Sequence, residues 1–269
     1  MDVRFGVHAG LQHTSIAELR ELWARIETLG FEWISIWDHF YAADATGDPH
    51  CLEAVTTHAA LAAATSDVLC GSLVYSAGYR HPAVLANTMA TLDQIADGRV
   101  VLGLGGGWLE QEYQVYGLHY GAAGERLRML GEYVQCVRGL LTQERTSFSG
   151  EFFTLTDAQC EPKPVQARLP IWIGGGGEKV TLRLVAEHAD AWNTFGPPET
   201  YAHKNAVLDQ WCEQLGRDPA TIERTVGIGA HEVDDVEAYL DAGATHLIVM
   251  TGHPYDLAPV ERLLGLAQA

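Results

Sequence analysis

Short apolar runs alternate with longer amphipathic runs about eight times along the chain. The short runs have the length and near-continuous apolar character of β-strands that are buried on both faces. Turn-forming residues separate them from the longer runs that follow. The predicted strands are Val3–Val7, Trp33–Trp37, Val68–Tyr75, Val100–Leu104, Pro170–Ile173, Ala191–Thr194, Thr225–Ile228 and His246–Met250.

The longer runs carry apolar residues at spacings of three and four, which predicts amphipathic helices. The first includes Ile16, Leu19, Leu22, Trp23 and Ile26 and is stopped by Gly30. Eight strand–helix units in roughly 250 residues predict a (β/α)8 TIM barrel. A doubly wound open sheet is the alternative fold. Its dinucleotide-binding pattern of Gly-x-Gly-x-x-Gly is missing after the first predicted strand.

The segment 142–169 interrupts this alternation. Within it, the run Thr146–Phe153 predicts a β-hairpin that turns at Ser149-Gly150. Because the segment connects a helix to a strand, its ends should lie at the barrel face away from the chemistry. We interpret it as an insertion into one barrel domain spanning residues 1–269, with a structural role or a role in an oligomer contact.

The net charge of the chain argues against two classes of binding partner. The 269 residues include 17 basic and 35 acidic side chains, for a net charge of −18. Phosphate backbones and anionic membranes are bound by clustered cations, so neither nucleic acid nor a membrane is an expected partner. The five cysteines are odd in number and lack a Cys-x-x-Cys pair. Together with a start that has no signal-like region, they favour a reduced, cytoplasmic protein.

Candidate chemistry is concentrated where predicted strands end. Asp38 and His39 follow the second strand directly, in the position where a barrel presents reactive side chains. The residues Gly105–Gly107 follow the fourth strand, and Gly174–Gly177 follow the fifth with Lys179 nearby. Glycine loops leading into helices expose backbone N–H groups that bind anions. We therefore predict an anion cradle at the second loop, with Lys179 in the first turn of the next helix; an ordinary βα turn is the alternative.

Several of these segments, taken in order, resemble the bacterial luciferase-like family, and specifically its branch of coenzyme F420-dependent oxidoreductases. The resemblance covers nearly the whole chain, although the segment Ile228–Met250 is shorter than is usual in the family. The segments that carry it are Trp37–Phe40, Tyr79–Ala83, Leu102–Trp108, Leu169–Gly177 and Arg183–Asn193.

The resemblance implies a deazaflavin bound at the carboxyl ends of the barrel strands. It also implies a cis peptide bond at Leu73–Val74 and a role for His39 as a proton carrier. The residues expected to contact coenzyme F420 are Asp38, Leu73, Val74, Ser76, Gly106, Gly107, Gln111, Gly175, Gly176 and Gly177, of which the last three take its phosphate.

One departure from the family pattern limits what the resemblance implies about the substrate. Related sugar-phosphate dehydrogenases have a glutamate where this chain has Trp108. A sugar-phosphate substrate is therefore not inherited, and the direction of hydride transfer stays open. The expected partner is a small organic molecule, and the resemblance suggests a homodimer.

Three other functions compete with F420-dependent hydride transfer. An FMN-dependent monooxygenase of the same family would use the same barrel with a flavin. A protein that binds the deazaflavin without catalysis would keep the glycine loops. A metal-dependent hydrolase is the third, but His8 and His13 lack the His-x-His spacing of such sites, so no metal site is predicted.

Overall fold

The computed structural model describes residues 3–44 and 46–267. Eight parallel strands form a closed barrel, with the strand β4 continuing β3 after a two-residue interruption; β3 pairs with β5 to close the sheet. The predicted TIM barrel is thereby confirmed. The strands are β1 (Arg4–Ala9), β2 (Trp33–Ile36), β3 (Leu69–Ser72), β4 (Tyr75–Ser76), β5 (Val100–Gly105), β6 (Thr146–Ser149), β7 (Thr154–Ala158), β8 (Ile171–Gly174), β9 (Ala191–Thr194), β10 (Glu223–Ile228) and β11 (His246–Thr251).

Helices surround the barrel and follow the strands in the alternation that the sequence indicates. They are α1 (Ile16–Leu29), α2 (Ala54–Ala64), α3 (Pro82–Ile95), α4 (Glu110–Tyr116), α5 (Ala123–Thr142), α6 (Thr181–His188), α7 (Pro198–Leu215), α8 (Val236–Asp241) and α9 (Ala258–Ala267). In α1, capping residues fix both ends of the helix. Ser15 and Glu18 form a capping box at its start, and Gly30 closes it in the left-handed region at φ 89°.

The predicted hairpin is confirmed as the antiparallel pair β6–β7. Its turn is held against α5 by the Glu132 carboxylate, which accepts hydrogen bonds from the backbone N–H groups of Glu151, Phe152 and Phe153 at 2.6, 2.9 and 3.2 Å. These three hydrogen bonds satisfy backbone N–H groups of the turn that would otherwise be bonded to water. The insertion therefore packs on the outer helical layer.

Aromatic side chains fill the barrel near the amino ends of its strands. Trp33 and Trp172 stack with ring centroids 4.2 Å apart, and His246 meets both rings edge-on. All three are buried. A Cβ atom on Gly71 would lie 2.1 Å from the Trp33 ring, so only glycine leaves room for the stack. This layer fills the barrel interior at the amino ends of these strands.

Buried histidines make the fold sensitive to acid, and among the described residues burial lowers the pKa of His8, His58 and His246. Burial lowers the pKa of His8 from 6.5 to about 3 and that of His58 from 6.5 to about 4. Below pH 6.5 the unfolded chain binds protons that the folded chain does not, so stability is lost as the pH falls. We expect the free energy of unfolding to drop by about 1.4 kcal/mol per histidine between about pH 7.5 and about pH 5.5, measured by urea denaturation.

A control separates this effect from other histidines. The pKa of the partly exposed His13 is raised, chiefly by its hydrogen bond to Asp44, so His13 contributes stability that increases as the pH falls. The His13→Gln variant should therefore show a steeper loss of stability than the wild-type protein over the same interval. Equal stability of the wild-type protein at both pH values would contradict the assignment of His8 and His58 as neutral buried groups.

Candidate active site

A cavity of about 580 Å³ opens at the carboxyl ends of the barrel strands. Its wall combines polar groups near β2 and β4 with glycine backbone and with apolar side chains from several loops. The lining residues are Trp37, Asp38, His39, Ala43, Leu73, Val74, Ser76, Tyr79, Gly105, Gly106, Gly107, Trp108, Leu127, Gly174, Gly175, Thr181, Asn193, Phe195 and Met250. Asp38 and His39 thus meet both glycine loops, as their places at strand ends predict.

Asp38 is a buried carboxylate whose two oxygens differ: Oδ2 accepts hydrogen bonds, and Oδ1, called the spare oxygen below, is left for a ligand. Its Oδ2 accepts hydrogen bonds from the Ser76 backbone N–H at 3.0 Å and from Arg80 Nη1 at 2.6 Å. Its Oδ1 is buried and has no partner among the described residues. Burial raises the pKa of Asp38, and the Arg80 guanidinium opposes that rise. The spare oxygen can accept a hydrogen bond from a ligand.

His39 is joined to a second buried carboxylate, that of Glu112. The His39 Nδ1 and Glu112 Oε2 atoms are 2.9 Å apart, and the Tyr79 hydroxyl donates to the same oxygen at 2.5 Å. The other oxygen, Oε1, accepts from the backbone N–H groups of Phe40 and Tyr41 at 2.5 and 2.9 Å. Burial raises the pKa of Glu112, but these hydrogen bonds outweigh it and hold the pKa below its usual value.

Sequence reasoning missed Glu112. It selected the neighbouring Gln111, which is exposed on α4. Gln111 is absent from the residues that line the cavity. The signal that could have identified Glu112 is the helical register, since Glu112 and the adjacent Tyr113 are the two buried residues of α4.

Aromatic rings enclose His39 on two sides. Trp37 and Trp108 present their edges at centroid distances of 5.6 and 5.5 Å. Trp108 nevertheless keeps 64% of its surface exposed, and Phe195, across the cavity mouth, keeps 54%. Large apolar side chains this exposed at the rim of a cavity are available to contact a ligand.

The peptide bond between Leu73 and Val74 is cis, which confirms the prediction. Val74 lies over the glycines of the neighbouring strands. Cβ atoms on Gly103, Gly105 and Gly174 would lie 3.1, 2.6 and 2.9 Å from its methyl groups. Gly105 and Gly174 therefore make room for Val74, whereas sequence analysis expected their loops to make room for a ligand; at Gly103 the Ser72 carbonyl oxygen is nearer, 2.0 Å from an added Cβ atom.

Within the loop Gly105–Gly107, too, some glycines are needed for packing and one leaves space for a ligand. Gly107 has φ 73°, and a Cβ atom there would lie 2.0 Å from the Tyr113 hydroxyl. That hydroxyl also makes a very short hydrogen bond with Ser76 Oγ. At Gly106 the nearest atom to an added Cβ is a Leu127 methyl group at 3.4 Å. Gly106 is thus the member of the loop whose open face remains for a ligand.

The second glycine loop has a different cation from the one predicted. The helix α6 begins at Thr181, so Lys179 precedes it and the placement of Lys179 in its first turn is wrong. Lys204 on α7 instead donates from Nζ to the Gly176 carbonyl oxygen at 2.6 Å. Gly174 and Gly175 line the cavity, and Gly176 and Gly177 lie just outside its lining. Lys204 Nζ also lies 3.4 Å from Glu178 Oε1, and Lys204 is absent from the cavity lining, so the loop places one paired cation beside the cavity.

Comparisons with known proteins agree with this architecture. The luciferase-like monooxygenase family model matches residues 3–263. An uncharacterized protein of Mycobacterium tuberculosis (strain H37Rv) is 36% identical over 210 residues, which are 70% of this chain and 73% of that protein. The F420-dependent glucose-6-phosphate dehydrogenase of Microbacterium testaceum (strain StLB037) is 32% identical over 219 residues. This match covers 80% of the chain but only 64% of the dehydrogenase, less than two thirds of its length.

Solved structures show the same fold at low sequence identity. An F420-dependent secondary alcohol dehydrogenase in complex with an F420–acetone adduct superposes with a TM-score of 0.88 over the whole of both chains, at 20% identity. Within residues 3–44 and 46–267, no group of three or more His, Cys, Asp or Glu side chains could hold a metal ion. No helix in the described part of the chain is both long and apolar enough to cross a membrane.

Proposed function

This chain belongs to the luciferase-like monooxygenase family, and from that premise we propose that it transfers a hydride between coenzyme F420 and a small organic substrate. The observation that carries the proposal is the shared cavity, whose wall brings Asp38 and His39 together with residues of both glycine loops. The names of relatives support the same cofactor, since the dehydrogenase of Microbacterium testaceum is F420-dependent.

The residues present fit a planar, phosphate-bearing cofactor. Asp38 Oδ1 is a buried acceptor without a partner in the described part of the chain, and an added Cβ atom at Gly106 would meet no atom closer than 3.4 Å, so a ligand can approach its backbone. We propose that Asp38, Ser76, Gly106 and the segment Leu73–Val74 contact the ring. The phosphate then lies beside Lys204, with Gly175, Gly176 and Gly177; Gly107 and, on the family resemblance alone, Gln111 complete the proposed cofactor-binding set.

In this arrangement the bound deazaflavin supplies or accepts the hydride. His39 moves the accompanying proton, because an imidazole in the cavity wall can both donate and accept a proton through its ring nitrogens. Trp37 and Trp108 cover the imidazole and limit the access of water. These roles require no metal ligand.

The substrate that best fits the remaining space is uncharged. No lysine or arginine lines the cavity, and the chain carries a net charge of −18. The side chains on the open side are mainly apolar: Trp108, Leu127, Phe195 and Met250. An anionic substrate would lose hydration without gaining a counter-charge. A neutral alcohol, aldehyde, ketone or unsaturated compound loses less.

Binding measurements test the proposal before any turnover is sought. Purified protein is titrated with coenzyme F420 and, separately, with FMN, which distinguishes hydride transfer by the deazaflavin from the flavin monooxygenase alternative. We expect F420 to bind more tightly. The F420-loaded protein is then offered neutral carbonyl compounds and alcohols beside glucose 6-phosphate, following the absorbance of the cofactor. Tighter binding of FMN, or F420 binding without turnover of any compound, would contradict the proposal.

The phosphate assignment predicts the behaviour of the Gly176→Val variant. Valine adds a branched side chain beside Lys204 and Thr194, whose nearest atoms are each 3.1 Å from the position of a Cβ atom. We expect the affinity for F420 to fall by at least about tenfold, or about 1.4 kcal/mol, measured by titration. The matched control is Gly265→Val in α9, where a Cβ atom meets nothing within 4 Å. Unchanged affinity in Gly176→Val would place the phosphate elsewhere.

A further inference from the structure

We propose that Glu112 is a positioning residue that holds His39 in one tautomer, with the proton on Nδ1 and the lone pair of Nε2 directed to the cavity. The inference is argued from the hydrogen bonds between side chains and does not depend on bound cofactor. Its catalytic meaning rests on the proposed function, whereas the tautomer itself is a property of the free protein. The two can therefore fail separately.

The hydrogen bonds of the Glu112 carboxylate determine which nitrogen of His39 is protonated. An ionised carboxylate only accepts hydrogen bonds. Its Oε1 is occupied by the backbone N–H groups of Phe40 and Tyr41, and its Oε2 by Tyr79 and His39. At 2.9 Å from Oε2, the His39 Nδ1 atom must therefore donate. A neutral imidazole has a single N–H, so Nε2 carries the lone pair.

Burial makes this arrangement specific. The Glu112 side chain has no exposed surface, so water cannot replace any of its four donors. Two of those donors are backbone groups of the residues that follow His39, which ties the position of the carboxylate to the loop that carries the imidazole. The chain thus orients the ring and selects its tautomer with the same residue, as carboxylates paired with catalytic histidines do elsewhere.

The selected tautomer suits one direction of the proposed reaction. When an alcohol is oxidised, its O–H proton would move to Nε2 and the O–H bonding pair would form the carbonyl π bond, while bound F420 would supply the acceptor for the C–H hydride. Nε2 can accept that proton only if it bears a lone pair. The imidazolium that results is stabilised by the adjacent Glu112 carboxylate. In the opposite direction, His39 must first take up a proton at Nε2.

The Glu112→Gln variant should invert the tautomer. Glutamine keeps the size of the side chain, and its carbonyl oxygen can still accept from the N–H groups of Phe40 and Tyr41. Its NH2 group then faces His39 and can only donate. Nδ1 must become the acceptor, and the proton moves to Nε2. The lone pair that receives the substrate proton is lost although the ring stays in place.

The test is NMR of protein labelled with ¹⁵N-histidine, with no cofactor added, at a pH where the imidazoles are neutral. Two-bond ¹H–¹⁵N correlations identify the protonated nitrogen, and the spectrum of His39→Asn assigns His39 among the twelve histidines. We expect the Nδ1–H form in the wild-type protein and the Nε2–H form in Glu112→Gln. The control Tyr79→Phe removes one donor from the same carboxylate without introducing a new one, and should keep the Nδ1–H form.

The outcomes are decisive even if one variant does not fold. An Nε2–H form or a mixture of tautomers in the wild-type protein overturns the proposal, whatever Glu112→Gln does. An unchanged tautomer in folded Glu112→Gln also overturns it. With F420 bound, alcohol oxidation by Glu112→Gln should fall by about 10²- to 10⁴-fold with little change in KM. If the tautomers are as expected but F420 does not bind, the inference about Glu112 stands and the proposed function fails.

Discussion

The His39→Asn variant is expected to bind coenzyme F420 nearly as tightly as the wild-type protein and to turn over about 10²- to 10⁴-fold more slowly. Asparagine can still donate a hydrogen bond to Glu112, so the carboxylate and the loop that it holds keep their partners. Asparagine cannot exchange a proton near neutral pH. The cofactor contacts proposed for Asp38 and the glycine loops are untouched. Titration with F420 and measurement of turnover at saturating cofactor, on the same preparation, separate the two quantities.

The competing account treats His39 as a packing residue between Trp37 and Trp108. Its replacement would then disturb the rings beside the cofactor and weaken binding, while saturating cofactor would restore turnover. A variant that binds F420 poorly but turns over normally once saturated would end the assignment of His39 as the proton carrier. Tyr79→Phe serves as the control, since it alters the same hydrogen-bonded group and leaves the imidazole in place.

The second large effect is expected for Asp38→Asn, which should lower the affinity for F420 by roughly 10- to 100-fold. The Ser76 N–H and Arg80 are donors, so they recruit the carbonyl oxygen of the new amide. Its NH2 group then occupies the place of the spare oxygen Oδ1 and presents a donor where an acceptor stood. Losing a hydrogen bond to a charged acceptor costs about 1.5–3 kcal/mol, which corresponds to the stated range.

Glu53→Gln is the matched control for Asp38→Asn. Glu53 is the other carboxylate bound to Arg80, at 2.7 Å, and it is absent from the cavity wall. Its replacement changes the charge around Arg80 by the same amount but leaves the spare oxygen of Asp38 in place. Equal losses of F420 affinity in the two variants would show that Asp38 acts through the charge of Arg80 and makes no direct contact with the cofactor.

Sequence analysis identified the site residues that directly follow a strand, because the barrel topology alone fixes where they lie. Asp38 and His39 follow β2 directly, and parallel strands in a barrel bring their carboxyl ends together. The barrel itself followed from the alternation of apolar and amphipathic runs. The strand bounds differ by one or two residues at several ends; β1, for example, extends to Ala9.

The parts that it missed depend on which way a side chain points. Glu112 enters the site because α4 turns it inward, and Lys204 reaches Gly176 from a helix that is distant in sequence. The role of Gly105 was misattributed for a related reason, because the Val74 methyl group that excludes a side chain there belongs to another strand. The contacts of Lys204 with Gly176 and of Val74 with Gly105 join distant segments and leave no local pattern in the chain, whereas Glu112 could have been identified from helical register.

The two sides of the cavity mouth differ in how freely they can change during evolution. On the side of Val74, the glycines serve the fold and the site together, so a substitution there alters both at once. On the other side, Trp108 and Phe195 are more than half exposed, and replacing them removes little buried surface. New substrate preferences can therefore be acquired at Trp108 and Phe195 with little loss of stability, while the cofactor side stays constant.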